Sequence, residues 1–109
     1  MLERDIEKHL VKRCKQHEIL CEKFVSPQKR YVPDRILTFR GMAIFVELKA
    51  PGKRPNAGQL RDHASRCHNA TVLWTDSIEG VNTIVESLVR RTPIPYVEDF
   101  KVQIVNYGD

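Results

Sequence analysis

The sequence predicts an α/β domain, an α-β-β-β-α-β-α order around a mixed sheet flanked by helices, within 109 residues. Three observations carry that prediction. Apolar residues at Leu2, Ile6, Leu10, Val11 and Cys14 recur every three or four positions, which is a helical stripe. Two β-rich runs, Arg35–Phe39 and Met42–Leu48, are separated only by Arg40-Gly41, which is a hairpin signal. A short apolar run at Thr71–Thr75 is followed by a second helical stripe, as in a strand–helix unit.

Taken in order, the first helix is expected from about Leu2 to Ile19. Residues Leu20 to Val25 alternate and read as a short strand with Leu20, Phe24 and Cys21 inward. Ser26 to Pro33 contains two prolines and is a loop. The hairpin follows, and Pro51 to Pro55 is a second loop. Asn56 can cap a helix from Ala57 to about Cys67, with Leu60, Ala64 and Cys67 on its inner face. Thr71–Thr75 is an interior strand, with Trp74 in the core. Asp76 and Glu79 have capping-box spacing and open a helix whose inner face is Ile78, Val81, Ile84, Val85 and Leu88. Thr92-Pro93-Ile94-Pro95 ends it. Phe100–Val105 alternates and suits an edge strand or a dimer arm. Residues 1–92 thus form the domain, and 93–109 a C-terminal tail.

Composition narrows the function classes. The chain is 41% hydrophobic and 29% charged, as soluble globular proteins are. No run approaches the ~18 to 20 apolar residues of a membrane span. The start, MLERDIEKHL, is charged throughout and does not read as a signal peptide. Three cysteines without such a signal point to a reducing, intracellular or cytoplasmic setting rather than a disulfide scaffold. Residues 8–66 hold 14 bases against 5 acids, whereas 67–109 hold 3 against 6. A strongly basic middle suggests a polyanion such as nucleic acid.

The hairpin concentrates chemistry. With Arg40 and Gly41 as the turn, Phe39 faces Met42 and Asp34 falls opposite Glu47. Lys49, two residues further, projects from the same face. Two carboxylates about 5 Å apart repel by roughly 3 kcal/mol at an effective dielectric near 20. Lys49 offsets part of this, and a divalent cation such as Mg²⁺ or Mn²⁺ would offset more. The plainer alternative is an exposed salt-bridge cluster.

Pro33-Asp34 followed by Glu47-Leu48-Lys49 resembles the PD-(D/E)XK nuclease signature. The wider setting resembles the short stand-alone members of the VRR-NUC family. It comprises Ser26-Pro27, Val32-Pro33-Asp34-Arg35, Phe45-Val46-Glu47-Leu48-Lys49-Ala50-Pro51-Gly52, and Gln59 in the next helix. The similarity spans roughly residues 2–88, and Tyr31 stands where many members have Gly. The resemblance implies a restriction-endonuclease-like core and a metal-dependent endonuclease acting on DNA. It implies Asp34, Glu47 and the Leu48 backbone carbonyl as metal ligands, with Glu3 as the acid from the first helix and Glu7 as its rival. Lys49 would position the attacking water, and Gln59 would orient water or substrate beside it. Lys29 and Arg30 before the acids, and Lys53 and Arg54 after them, would grip DNA phosphates. Stand-alone members also imply a homodimer selective for branched DNA, similar to Holliday junction resolvases.

Other readings remain open from the sequence. A catalytically inactive DNA-binding module of the same fold is the main alternative. Cys14, His17 and Cys21, with His63, Cys67 or His68, form a competing zinc-ligand set, but their spacing matches no standard zinc pattern. No glycine-rich phosphate loop is present.

Overall fold

The structure is a computed structural model that describes residues 1–92 and the backbone of 102–104. Helix α1 spans Glu3–Gln16, strand β1 Leu20–Lys23, β2 Arg35–Phe39 and β3 Met42–Leu48. Helix α2 follows at Ala57–Arg66, then β4 at Thr71–Thr75, α3 at Ile78–Arg90 and β5 at Val102–Ile104. The five strands form one mixed sheet in the order β1-β2-β3-β4-β5. The first three make an antiparallel meander, α2 carries the crossover to the parallel β4, and β5 returns antiparallel. The α/β prediction holds element by element.

The hairpin register is the one counted from sequence, with Phe39 opposite Met42 and Arg35 opposite Val46. Both turn residues have positive φ, 46° at Arg40 and 85° at Gly41. That is the backbone pattern whose twist matches paired strands. Nothing lies within 4 Å of where a Gly41 Cβ would stand, so glycine is needed there for backbone freedom alone.

The pleat divides the sheet into two unlike faces. Leu37, Phe39, Ile44, Val46, Leu48 and Leu73 point to one side and pack with Ile6, Leu10 and Cys14 of α1 and with Val81, Ile84, Val85 and Leu88 of α3. Asp34, Phe45, Glu47 and Trp74 belong to the opposite side, where α2 lies. The apolar core is therefore on the α1/α3 side and the chemistry on the α2 side.

Three local expectations are corrected. Leu20 is exposed rather than inward, because it lies on the α2 side of an edge strand. Leu60 is also exposed, and α2 buries Gly58 and His63 instead. The helix sets His63 over Glu47 and Gly58 under the Tyr31 ring, which leaves Leu60 outside and Ala64 and Cys67 half-buried. The cap of α3 is Ser77, whose hydroxyl accepts from the Gly80 N–H at 2.9 Å. Asp76, nearly fully buried, instead accepts from the Gly52 N–H at 2.8 Å and fastens the 50–55 loop to the end of β4. Val102–Ile104 pairs with β4 at the edge of the sheet, the first of the two alternatives for this run, while the rest of Phe100–Val105 lies outside the described residues. Among the described residues, no helix is long and apolar enough to cross a membrane.

Candidate active site

Asp34 immediately precedes β2, and Glu47 and Lys49 occupy the end of β3. Two backbone contacts fix Asp34. Its carbonyl accepts from the Phe24 N–H at 2.9 Å, and its carboxylate Oδ2 accepts from the Leu48 N–H at 2.9 Å. The second bond ties the aspartate to the strand bearing the glutamate. Lys49 donates its N–H to the Thr75 carbonyl at 3.0 Å, which holds this end of β3 to β4. The hairpin thus brings Asp34, Glu47 and Lys49 to one patch.

Glu47 is the unusual group. It is 1% exposed, and its Oε1 has no hydrogen-bond partner. Burial pushes its carboxyl up to about 9, and so do a hydrogen bond to Asp34 and the charge of that carboxylate. Glu3 adds a smaller push, and the Lys49 ammonium opposes the shift. At neutral pH without a cation, Glu47 is therefore protonated beside the Asp34 carboxylate. The repulsion foreseen from the sequence is relieved by a proton.

His63, which the sequence offers only as an optional zinc ligand, faces this pair from α2. It is fully buried, with Nε2 at 3.5 Å from Glu47 Oε1, and neither ring nitrogen has a hydrogen-bond partner. Burial holds its pKa below the ordinary histidine value, so the ring is neutral. A usable signal existed: His63 is four residues beyond Gln59 and shares its helical face.

The remaining candidates divide by position. Glu3 is exposed in the first turn of α1, and its charge reaches Glu47. Glu7 is engaged elsewhere, accepting from Arg35 Nε at 3.0 Å. Gln59 is half-buried and closes a reciprocal capping box with Asn56, both bonds 2.9 Å. Its amide oxygen is used there, so contact with water or substrate falls to its NH₂. Lys53 and Arg54 are exposed in the loop anchored by Asp76, and Lys29 and Arg30 are exposed in the loop before Asp34. Tyr31 of that second loop lies on Gly58, where a Cβ would come within 2.6 Å of its ring. Glycine at this helical position lets the loop pack against α2.

Among the described residues, no group of three or more His, Cys, Asp and Glu side chains is arranged to hold a metal by itself. The Asp34–Glu47 pair nevertheless suits a divalent cation. It offers hard oxygen donors, one of them buried and unpartnered, and excess negative charge.

The chain resembles known proteins in sequence and in shape. It is 51% identical over 83 residues, covering 72% of the chain and 89% of the relative, to a protein of Acyrthosiphon pisum secondary endosymbiont phage 1 described as "Putative nuclease p44". A solved structure described as a VRR_NUC domain superposes with a TM-score of 0.70 at 28% identity, covering 77% of this chain and 94% of that one. No family model matches the chain.

Proposed function

The chain belongs to the VRR-NUC family of nucleases, and from that premise we propose that it is a divalent-metal-dependent endonuclease hydrolysing DNA phosphodiester bonds. The observation that carries the proposal is the Asp34–Glu47 contact on one sheet face beside Lys49, with a glutamate oxygen buried and unpartnered. An uncompensated buried acid costs about 1–3 kcal/mol, so a purely structural role is poorly served by it.

Asp34, Glu47 and the Leu48 carbonyl would hold Mg²⁺ or Mn²⁺, with Glu3 reaching in from α1 and water completing the shell. A cation bound there would lower the pKa of a water molecule and neutralise charge on the phosphate under attack. Lys49 would position the water and balance the phosphate charge, and the Gln59 amide would orient it. Neutral His63 would bear on Glu47 from behind and limit its rotation. Lys29, Arg30, Lys53 and Arg54, in two loops flanking the acids, would bind phosphates on either side of the scissile one.

A single protomer carries one such site. Paired nicks in branched DNA need two sites related by a two-fold axis, and on this reading the enzyme is a homodimer acting at junctions. The test is cleavage of a labelled four-way junction and a linear duplex in Mg²⁺, Mn²⁺ or EDTA. Metal-dependent cutting is expected, faster on the junction. It should be abolished by Asp34→Ala or Glu47→Ala and severely reduced by Lys49→Ala. Wild-type rates in either carboxylate variant would overturn the site, and equal rates on both DNAs would remove the junction preference.

A further inference from the structure

On the same sheet face as the carboxylates lies a second feature that phosphodiester hydrolysis does not use. Phe24 and Phe45 meet with ring centroids 5.4 Å apart. The Arg66 guanidinium lies over both rings, 5.0 Å from each centroid. Asp62, one helical turn earlier, accepts from Arg66 Nε at 3.1 Å and from Nη2 at 3.2 Å. The guanidinium is thus held by a carboxylate and lies close to both aromatic rings. Phe24, Phe45 and Arg66 border a cavity of about 470 Å³ that Gln28, Lys29 and Asn69 also line.

We infer that this cavity receives an unpaired nucleobase of the strand being cut, which makes the substrate DNA with a single-stranded or splayed segment. The inference rests on the nuclease reading above. A fixed guanidinium plane over aromatic rings is a stacking platform, and bases in single strands stack on aromatic and Arg planes. The amides of Gln28 and Asn69 supply both donors and acceptors for a base edge. Lys29 supplies a cation for the adjoining phosphate. Phe45 is two residues from Glu47 on the same face, about 7 Å along the strand. A base that fills the cavity and lies on the guanidinium has given up its stacking neighbour on that side.

The test uses the full chain in EDTA, so that binding is read without cleavage. A single-stranded deoxyoligonucleotide of about ten nucleotides carries 2-aminopurine at successive positions. Its ribo counterpart and its blunt duplex are run in parallel. Expected are a fluorescence change confined to one or two positions, at least about fivefold tighter binding than to the duplex, and a similar loss when that nucleotide is made abasic. Arg66→Lys keeps the charge but removes the plane and should erase the penalty for the abasic strand. Asn69→Ala, at an exposed position, should reduce it in a chain whose fold is undisturbed. Signal in the ribo strand as well as the deoxy strand supports the base site and shows that it does not select the sugar. Abasic insensitivity at every position, or an unchanged penalty in both variants, overturns the inference. Metal-dependent cleavage with abasic insensitivity would sink the base site and leave the nuclease. Base-dependent binding without cleavage under any metal would do the reverse.

Discussion

Glu47 links stability to pH in a direction opposite to that of most acids. Its folded-state pKa lies above its unfolded value, near 9 against 4.5. Between those values the folded chain binds more protons, so stability is greatest below the unfolded pKa and falls as pH rises towards 9. In EDTA the melting temperature should therefore drop from pH 5 to pH 9. Glu47→Gln should flatten that dependence and add roughly 1–3 kcal/mol at pH 8, with little gain at pH 5. Mg²⁺ or Mn²⁺ should raise the wild-type melting temperature more at pH 8 than at pH 5.5, and leave Glu47→Gln unmoved. A wild-type profile that rises with pH would contradict the buried acid. Asp34, Glu47 and Lys49 were legible in the sequence because strand periodicity is two and the turn fixed the register. His63 was harder to find, because its one signal, the four-residue spacing from Gln59, does not say whether the fold will cover that face.

At the scale of elements, the hairpin and the 50–55 loop place the groups that matter. Gly41→Ala meets no neighbouring atom, so its cost is backbone strain alone, about 1–2 kcal/mol. Chemical denaturation should show that loss. Asp76→Ala would remove the acceptor that holds the Gly52 N–H at 2.8 Å and release the loop carrying Lys53 and Arg54. We expect a stability loss of about 1–3 kcal/mol and weaker DNA binding, measured on the folded fraction. Helix and strand positions were readable because their periods are strong. The inner face of α2 was not, since Leu60 marks an apolar stripe that faces solvent while Gly58 and His63 are buried. Apolar periodicity does not locate a helix face buried through a histidine on a carboxylate and a glycine under a tyrosine ring. Asp76 was misread for a related reason. Its spacing to Glu79 suits a helix cap, but burial at the end of β4 gives it a backbone partner from a different loop.

For the whole molecule, the charge asymmetry seen in the sequence becomes two basic loops beside an acidic centre. Lys53→Ala combined with Arg54→Ala should weaken binding to all DNA sequences alike and flatten its salt dependence by about two phosphate contacts. An unaltered salt slope would place DNA elsewhere. Analytical sizing decides the assembly: a strict monomer at working concentration would remove the paired-site scheme. The mixed α/β architecture was readable from element order, while the strand order and the parallel β3–β4 pairing across α2 come from the structure. The contacts between α2 and the acidic face were hidden, because they join residues far apart in sequence through side chains of no distinctive pattern.

The two-residue turn at Arg40-Gly41 also sets a rule of parity for any descendant of this chain. Adding one residue to each arm keeps the aspartate facing the glutamate but rotates both to the greasy side of the sheet. Adding one to a single arm separates them altogether. While that turn persists and the arms remain free of bulges, the spacer between the two acids can lengthen or shorten only in multiples of four. Evolution has far more room to vary the loops before and after this ribbon than the ribbon itself.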